Sequence, residues 1–566
     1  MLALLPMLSL SLALSAQAQP LPGGDGTPLD VTLEGSARIG PAEGVEGAVL
    51  LLDGEPGSYA RAPLPDDWGN PSCFRVEAKV RLDSRRGGAV CLARPDGFWV
   101  YFNGEGKPWV VLDCEKRRLV MAGAEPVPLG QWLDVVFEYR AEDISLLYVN
   151  GRSVAALPAV GPLKATSDEL WLGRYRYIEK DKEDNSYFHG AVALPRLTRL
   201  PDDDRFSLDA AAMSNAMNLS WGDAIVVGKG WRQLNQKAHV PLLVEECRRQ
   251  GVKKLFLRTD DEFILRFCKH NMDENHWYLR AIAAVEGDLK AEIIDRCHEA
   301  GIEVYAYQSI FDGGSPPEVL YGGSAPFPWQ AQFIVDNPQY LTQNRDGTKR
   351  QWGVLCYAYP EARRFMVDIF SHYLSKWDFD GVYVCTRTHS YPATFADEFG
   401  YNDPIAEEYK HRFGTDIRTE DFDRDKWYDL QGETLTQLLR DLRGALGDKQ
   451  VYLAIPRSDH IGPPYGNMRL DYPTWCEENL IDGLVLGVTS GGWHYPNTTN
   501  LPGYVVSEQD NVNMRPLEED LRDHFGPACA AGGVELYLQR SSIYSDADRD
   551  LLKHPGMKGF MVGFGY

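Results

Sequence analysis

The sequence predicts a multidomain protein, an all-β jelly roll followed by an α/β barrel of the (β/α)8, or TIM-barrel, type. Residues of about 27 to 200 contain short strands in which apolar and polar residues alternate, separated by turn residues. From about residue 224 onward, eight apolar runs of strand length alternate with helical patterns. A chain of 566 residues, 44% of them hydrophobic, is long enough for more than one core.

Residues 1–18, MLALLPMLSLSLALSAQA, predict a signal peptide. An apolar run ends in the small-residue pattern Ala16-Gln17-Ala18, which favours cleavage after Ala18. The run is too short, and too soon followed by Gly and Pro, to predict stable membrane insertion. Since no Lys or Arg precedes it, a weak anchor stays the alternative. We therefore expect a secreted or periplasmic protein, or one associated with the cell surface.

Residues 27–200 are predicted to form an antiparallel β-sandwich or jelly roll. Asn150-Gly151 between two apolar runs is a strong hairpin signal. The predicted strands cover Arg75 to Arg81, Trp99 to Phe102, Trp109 to Leu112, Trp132 to Tyr139, Ile144 to Val149 and Glu169 to Leu172. Residues 201–220, which begin with the polar run PDDDR, are predicted to be a linker.

Four motifs of this region carry a resemblance to a known fold. They are Gly130 to Val136, Leu147 to Gly151, Leu172-Gly173 and Phe188 to Gly190. In this order they resemble the concanavalin A-like or laminin-G-like jelly roll that often accompanies secreted carbohydrate-active enzymes. The resemblance implies a module that binds sugar, binds calcium or braces a catalytic domain. The sequence shows no cluster of exposed aromatic residues that would favour binding, so packing and glycan binding both stay open.

Residues 221–566 are predicted to form the barrel. Its eight predicted strands are Ala224 to Val227, Lys254 to Leu257, Val304 to Tyr307, Gly381 to Val384, Val451 to Ile455, Gly483 to Val488, Val534 to Leu538 and Gly559 to Val562. A doubly wound sheet is the alternative, but no GxGxxG loop follows the first predicted strand. Val505 to Ser507 is a candidate extra strand. A barrel of this type usually has a helix after its last strand. We therefore expect either further chain beyond Tyr566 or a jelly roll that covers that side of the barrel.

The stretch from Trp377 to Ser390 is the most informative part of the predicted barrel. An amphipathic helix end leads through Asp-Gly into a strand around Val382 and Val384 that is too apolar to be half-exposed. A polar cluster follows at once, formed by Thr386, Arg387, Thr388 and His389. The active sites of barrel enzymes lie at the carboxyl ends of the strands. The cluster is therefore predicted to lie at an active site.

The barrel region resembles the secreted glycosylhydrolase-like proteins described as family-10-like. The residues that carry this resemblance are Trp377 to Val384, Arg387 to Ser390, Phe399 to Pro404 and Trp427 to Glu433. It implies glycoside hydrolysis, and it covers most of residues 221–566. Many relatives of this type have a carboxylate directly after strand four, whereas this chain has Cys385. The acid then comes from another strand, the chemistry differs, or the protein binds without cleaving.

Hydrolysis of a glycosidic bond normally requires two carboxyl groups, one protonated and one charged. Carboxylates that follow the predicted strands are Asp260 with Asp261 and Glu262, Asp312, Asp397, Glu398, Asp459, Glu508 and Asp510. Asp260 and Asp459 are the preferred catalytic pair, with Glu398 and Glu508 in reserve. Arg258 and Arg457 lie near them in the sequence, together with His460. An Arg can keep one carboxylate ionised while a less solvated partner keeps its proton.

Further residues are predicted to bind or act on the sugar. Arg387 offers a planar fork for a carboxylate or sulfate, and His389 can orient a hydroxyl or move a proton. Tyr391 is a candidate because tyrosine nucleophiles occur among glycosidases. Aromatic rings suit the apolar faces of sugars. Candidates of this kind are Trp231, Tyr307, Trp352 and Trp493, and Asp312 is predicted to contact substrate as well.

The composition excludes several other functions. A net charge of −23 makes nucleic acid an unfavourable partner. The ten cysteines form no CxxC pair and several fall on apolar positions, so buried, reduced thiols are expected rather than a zinc site. We expect neither a metal nor another cofactor. The sequence thus predicts a glycoside hydrolase acting on a polysaccharide or large oligosaccharide. The alternatives are a non-catalytic carbohydrate-binding or scaffold protein and a polysaccharide lyase that uses Arg387 with His389 or Tyr391.

Overall fold

The computed structural model consists of two compact units. The first is made of residues 1–207 and 542–550, and the second of residues 208–541 and 551–566. The residues described below are 18–23, 29–65, 68–85, 89–115, 118–158, 161–165, 167–179, 182–202, 204, 206, 213–220, 224–225, 228, 230–270, 272–314, 329–386, 397–461, 468–487, 515–540 and 543–564.

The first unit is a β-sandwich of two antiparallel sheets and a hairpin. Its strands are β1 (Ala18–Leu21), β2 (Leu29–Glu34), β3 (Arg38–Pro41), β4 (Ala48–Asp53), β5 (Tyr59–Pro63), β6 (Cys73–Leu82), β7 (Ala89–Arg94), β8 (Phe98–Phe102), β9 (Pro108–Asp113), β10 (Arg118–Ala122), β11 (Trp132–Arg140), β12 (Ile144–Val149), β13 (Arg152–Pro158), β14 (Glu169–Leu172), β15 (Arg174–Glu179), β16 (Lys182–Tyr187) and β17 (His189–Arg199). The eight-stranded sheet has the order β1-β2-β5-β14-β7-β8-β9-β10, and the seven-stranded sheet has the order β13-β12-β11-β6-β17-β4-β3. The predicted antiparallel sandwich is confirmed.

The core of the sandwich lies between the inner faces of its two sheets. Strand β6 alternates between buried and partly exposed residues along most of its length, as a strand with one face in a core must. Phe74 from this strand contacts Phe98, Phe137 and Tyr139, with ring centroids 4.9–6.0 Å apart. Asn150 and Gly151 both have positive φ angles at the tip of the β12–β13 hairpin, which is the backbone that the Asn-Gly pair favours.

Aromatic residues also lie on the outer face of the eight-stranded sheet. We call the aromatic residues Tyr59, Trp99, Tyr101, Trp109 and Trp171, together with Val111 packed among them, the aromatic face. The neighbours of these residues along each strand, such as Val100, Val110 and Leu170, belong to the core instead. Trp99 is buried beneath the group, while its other members are partly exposed. The sequence analysis missed this cluster because its members are scattered over four strands.

The second unit contains a closed barrel of eight parallel strands, in the order β18-β19-β21-β25-β26-β29-β30-β31. The strands of this unit are β18 (Asn215–Ser220), β19 (Val252–Arg258), β20 (Cys268–His270), β21 (Glu303–Ser309), β22 (Trp329–Ala331), β23 (Leu341–Gln343), β24 (Arg350–Leu355), β25 (Gly381–Cys385), β26 (Gln450–Ile455), β27 (His460–Ile461), β28 (Met468–Arg469), β29 (Gly483–Leu486), β30 (Glu535–Arg540) and β31 (Met557–Gly563). Seven of the eight predicted barrel strands are confirmed.

The prediction of the first barrel strand is wrong. Ala224 and Ile225 are helical, and the strand is instead Asn215–Ser220, inside the range predicted as a linker. Asn215 is fully buried there, and its side chain forms hydrogen bonds with two backbone groups. Its Nδ2 donates to the carbonyl of Gln250 at 2.7 Å, and its Oδ1 accepts from the amide of Phe560 at 3.0 Å. The predicted strand from Val505 to Ser507 lies outside the described residues.

Helices connect several of the barrel strands. They are α1 (Val240–Arg249), α2 (Trp277–Ala283), α3 (Leu289–Glu299), α4 (Gln332–Asp336), α5 (Pro360–Lys376), α6 (Asp403–Phe413), α7 (Arg424–Leu446), α8 (Tyr472–Glu477), α9 (Phe525–Gly532) and α10 (Asp546–Asp550). Long helices α1, α3, α5 and α7 lie between the first five strands of the barrel, and shorter ones follow. Asp288, Asp423 and Asp471 accept backbone hydrogen bonds at the starts of α3, α7 and α8, as N-cap residues do.

Tyrosines fill much of the barrel interior. Phe256 stacks on Tyr383 with ring centroids 4.0 Å apart, and Tyr307 meets the same ring edge-on at 4.9 Å. Gly483 makes room for one of these rings, because a Cβ atom there would lie 2.1 Å from the ring of Tyr452. The interior is therefore packed with side chains at this level.

The amino-terminal end of the barrel is closed by a polar group that we call the floor, formed by Lys254, Glu303, Tyr305, Gln450, Tyr452, Glu535 and Tyr537. Lys254 forms an ion pair with Glu303, and its Nζ lies 3.6 Å from Oε2 of Glu535. The hydroxyls of Tyr452 and Tyr537 donate to the same Glu535 at 2.7 and 3.1 Å. The buried polar groups of the floor thereby satisfy one another.

All ten cysteines are single thiols, and nine of them are buried while Cys268 is partly exposed. Burial raises the pKa of Cys91, Cys297 and Cys356 to about 12. These thiols behave as small apolar side chains, as expected from the sequence. Among the described residues, none of the helices has the length and apolar character needed to span a membrane.

Candidate functional site

Arg258 organises a cluster of side chains at the carboxyl end of the barrel. It is the last residue of β19, and it lies in register with Ser220 of β18 on one side and Tyr307 of β21 on the other. Its Nε lies 2.5 Å from Oδ1 of Asp260, and its Nη2 lies 3.0 Å from Oδ2 of Asp312. We call these five residues the Arg258 cluster. Carboxylates that follow two adjacent strands thus converge on one guanidinium.

The contacts of Arg258 determine its electrostatics. Burial alone would lower the pKa of Arg258, but the carboxylates of Asp260 and Asp312 outweigh it and raise that pKa well above its usual value. The side chain of Asp312 is only 2% exposed, whereas that of Asp260 is 18% exposed. The hydroxyl of Ser220 also donates to Oδ2 of Asp260, at 3.4 Å. Asp260 is therefore the carboxylate of the cluster that a ligand can reach more easily.

Cys385 occupies the end of β25, the strand of the predicted polar cluster. It is fully buried, and it accepts a hydrogen bond from the hydroxyl of Tyr307 at 3.5 Å. The following residue, Thr386, is also buried, and its hydroxyl donates to the carbonyl of Ala454 at 2.8 Å. These contacts place a packed thiol at the end of β25, where the resemblance noted in the sequence led us to look for an acid.

Asp459 belongs to a second group of charges. Both of its oxygens accept from Arg515, at 2.7 and 2.9 Å, and Nε of Arg515 donates to Asp520 at 2.7 Å. Arg457, which lies two residues before Asp459 in the sequence, donates to Asp520 at 2.8 Å. We call these four residues the Asp520 cluster. The bidentate contact with Arg515 lowers the pKa of Asp459, so this carboxylate is firmly ionised at neutral pH.

The other predicted acids are in different surroundings. Asp261 is paired with Lys290, and Glu262 with His372 and Lys376, so within the run from 260 to 262 only Asp260 belongs to the Arg258 cluster. Glu398 is buried, with Nζ of Lys349 3.2 Å from its Oε1. This pair lies in a part of the second unit where Asn344 and Phe399 form an isolated β-bridge.

A third group, near the end of β26, was missed by the sequence analysis. The hydroxyl of Tyr428 donates to both oxygens of Asp397, at 2.9 and 3.1 Å, and Nε of Arg424 lies 3.0 Å from the same carboxylate. Asp397 has a φ angle of 63°, in the left-handed region that few residues other than Gly adopt. The ring of His460 lies edge-on to Tyr428 at 5.6 Å, and burial lowers its pKa, so the imidazole is neutral at pH 7.

Of the remaining predicted residues, three are described by the structure and the others lie outside the described residues. Tyr307 is 2% exposed and lies in the barrel interior, where its ring is 5.4 Å from the guanidinium carbon of Arg258. Trp352 is partly buried on β24, and Trp231 is part of the short helix Gly230–Arg232. Arg387, His389, Tyr391, Trp493 and Glu508 lie outside the described residues, as do Thr388 and Asp510. Within the described parts of the chain, the acidic, His and Cys side chains form no group of three that could hold a metal ion.

Comparison with known proteins concerns the first unit. Residues 53–198 match the Laminin_G_3 family model, described as the concanavalin A-like lectin/glucanases superfamily. This match identifies the sandwich as a concanavalin A-like domain and leaves the barrel unassigned. A search of the curated proteins gives no match to this chain.

Two solved structures show a distant likeness to this chain. One is a botulinum neurotoxin type C structure described with two ganglioside molecules, at 11% identity and a TM-score of 0.24, over 33% of this chain and 49% of that one. Another is domain 4 of AbnA, a GH43 extracellular arabinanase from Geobacillus stearothermophilus in complex with arabinotriose, at 17% identity and a TM-score of 0.24, over 30% of this chain and 82% of that one. The matched part spans about half of the neurotoxin structure, and TM-scores this low support no functional argument.

Proposed function

We propose that this protein, which joins a concanavalin A-like sandwich to a closed parallel barrel, is a glycoside hydrolase with its active site at the carboxyl end of a TIM-type barrel. The observation that carries the proposal is the Arg258 cluster, in which carboxylates following two adjacent strands meet one guanidinium, whose side chain is 14% exposed. Active sites of barrel enzymes form at this end of the strands, and glycosidic bonds are cleaved by carboxyl groups. The substrate is a polysaccharide or a large oligosaccharide.

Asp260 is the charged carboxyl group in this proposal. In the transition state of glycoside hydrolysis, the sugar ring has oxocarbenium-like positive charge, and an anionic carboxylate stabilises that charge. Arg258 positions Asp260, and the nearly inaccessible Asp312 fixes the other side of the guanidinium. A carboxylate in this role must be held rigidly in position. Ser220 donates a hydrogen bond to Asp260, and the guanidinium of Arg258 lies over the ring of Tyr307, so both members of the ion pair are held in place.

The proton donor must be a different carboxyl group. A general acid needs a raised pKa, so Asp459, whose pKa Arg515 lowers, is poorly suited to this role. Glu398 is buried, and Nζ of Lys349 lies 3.2 Å from its Oε1. We propose Glu398 or Glu508 as the donor, and variants of each carboxyl group to Gln distinguish them.

The test is an assay of the purified protein on neutral and acidic polysaccharides, in which reducing ends and near-ultraviolet absorbance are measured together. We expect new reducing ends without absorbance, abolished in Asp260→Asn. The matched control is Asp441→Asn, which removes an Asp paired with an Arg, Arg363 at 2.6 Å, on helix α7 rather than at a strand end. Equal activity in Asp260→Asn and the parent protein would contradict the proposed role of Asp260.

A second function, carbohydrate binding without cleavage, is favoured by Cys385. The packed thiol at the end of β25 cannot replace a carboxylic acid in the reaction. Binding of a polysaccharide without new reducing ends would support this function. Absorbance in the near ultraviolet would instead indicate a lyase and would direct attention to Arg387, His389 and Tyr391. We also propose that the chain is exported, since Gln19 to Leu21, directly after the predicted cleavage site, pair with β2 in the sandwich.

A further inference from the structure

Two cysteines of the second unit lie on helices that pack side by side. Cys476 is in the last turn of α8, and Cys529 is in the middle of α9, which packs against α8. Both side chains are buried, since Cys476 is 2% exposed and Cys529 is 0% exposed. These residues are distant in the sequence, so only the packing of the two helices brings them together.

The contacts on either side of the two cysteines determine how they face each other. One turn before them, Tyr472 of α8 and Phe525 of α9 have ring centroids 4.3 Å apart. Beyond Cys529, a Cβ atom on Gly532 would lie 2.8 Å from Cβ of Cys476. Residues three or four positions apart share one face of a helix. The face of α9 that carries Cys529 therefore lies directly against Cys476.

The two thiols are themselves in contact. The thiol of Cys529 donates a hydrogen bond to that of Cys476, which lowers the pKa of Cys476 and raises the pKa of Cys529. Cys247 on α1 and Cys297 on α3 are buried as well, but Sγ of Cys247 donates to Sδ of Met217 at 3.9 Å. Two cysteines whose side chains point at each other across so short a gap can be joined without a large movement of the backbone.

We propose that Cys476 and Cys529 form a disulfide bond when the protein folds in an oxidising compartment. The amino-terminal sequence predicts export, and disulfides persist outside the cytoplasm. The oxidant is a disulfide of another molecule. The thiolate of Cys476 attacks it and releases one thiol, and the thiolate of Cys529 then attacks the mixed disulfide and releases the second. The protein thiols lose two electrons and two protons, and the oxidant is reduced to two thiols.

This bond closes a loop of the chain that runs from the end of α8 through β29 to α9. A cross-link of this kind lowers the conformational entropy of the unfolded chain and so stabilises the folded state. The bond joins two helices and involves no residue of the Arg258 cluster. The inference therefore does not depend on the proposed hydrolase function.

The experiment is peptide mapping of the full chain without prior reduction. The chain is produced in bacteria whose cytoplasm is oxidising and contains a disulfide isomerase, so an oxidant is present whether or not export occurs. Free thiols are blocked with iodoacetamide in denaturant, and the protein is then digested with trypsin. Cleavage after Arg522 places Cys476 and Cys529 on separate peptides, residues 470–522 and 523–540.

We expect these two peptides to be joined in the unreduced sample and separate after reduction. Cys247 and Cys297, the control pair, should carry the blocking group. A second measurement is urea unfolding with and without a reductant. The reductant should lower the unfolding midpoint of the parent by about 1 M and leave that of Cys476→Ala unchanged.

The proposal is overturned if Cys476 and Cys529 carry the blocking group or are joined to other cysteines. It is also overturned if the reductant lowers the midpoint of Cys476→Ala as much as that of the parent, because another cross-link would then be responsible.

Discussion

The two charged clusters of the second unit differ in their balance of charge. In the Arg258 cluster, one cation lies between two anions, Asp260 and Asp312. In the Asp520 cluster, two cations, Arg457 and Arg515, meet two anions, Asp459 and Asp520. The first cluster has one more carboxylate than it has cations, and the second has a cation for each of its carboxylates. The difference teaches that Asp260 and Asp459, which look alike in the sequence, have different surroundings and are expected to differ in function.

The largest expected effect concerns activity. Asp260→Asn should lower kcat by roughly 10²- to 10⁴-fold, the range typical for a group that acts directly on the reacting bond. Asp459→Asn should lower it less than about tenfold, because its carboxylate is bound to Arg515 rather than directed at the sugar. Initial rates of reducing-end formation measure both. Equal losses in the two variants would remove the functional distinction between the clusters.

The next effect concerns stability. Arg258→Met should lower the free energy of unfolding by about 3–5 kcal/mol, because it leaves the carboxylates of Asp260 and Asp312 near each other without their cation. Arg440→Met is the control, since Arg440 pairs with Glu478 at 2.7 Å on the surface and such pairs contribute little. Urea unfolding at pH 7 measures both variants, and a loss as small as that of the control would contradict this prediction.

A smaller effect, dependent on pH, is expected for Arg515→Met. The folded-state pKa of Asp459 lies below the ordinary value of 3.8, so the stabilisation from Arg515 is present above that ordinary value and is lost as the pH falls through the folded-state pKa. We expect a loss of about 1 kcal/mol at pH 7, because the side chain of Asp459 is 42% exposed and solvent screens the pair.

This loss should shrink when unfolding is measured at pH 3. Asp520 keeps Arg457 in the variant, which limits the damage. A difference between variant and parent that does not change from pH 7 to pH 3 would show that Arg515 acts through packing rather than through Asp459.

The smallest effect is expected for Lys349→Met. Lys349 is 63% exposed, although its partner Glu398 is 3% exposed. The loss of unfolding free energy should be less than about 1 kcal/mol, because an exposed Lys gains little from an ion pair. A loss similar to that of Arg258→Met would instead place this pair among the structural ones.

Much of the fold could be predicted from the sequence, since seven barrel strands are apolar runs bounded by turns or helices. The exception is instructive. The first strand, NAMNLS, carries Asn215 and Asn218 among its apolar residues, so it looks like part of the polar linker. Asn215 is there because backbone groups of Gln250 and Phe560 need a partner at the point where the barrel closes. A strand at such a junction has a polar sequence for a reason that only the folded structure reveals.

The sequence predicted several residues of the candidate site, but it did not predict which residues pair with each other. Arg258, Asp260 and Asp312 follow strands, and strand ends meet in a barrel, so their proximity follows from the pattern. Arg457 lies two residues before Asp459 in the sequence, but both oxygens of Asp459 accept from Arg515, 56 residues later. Hydrogen bonds across such separations depend on loop paths that periodicity does not encode. The aromatic face was missed for a similar reason, since it requires the register of four strands.

The floor of the barrel has a consequence for where a substrate could enter the barrel and where products could leave it. Lys254 and Glu535, with the tyrosines bound to them, fill the amino-terminal end, so the interior is no tunnel for a sugar chain. In the proposed hydrolase, substrate and fragments would therefore both pass through the carboxyl end of the barrel. A fragment bound there would block the next chain, so we expect the rate to fall as products accumulate and compete with fresh substrate.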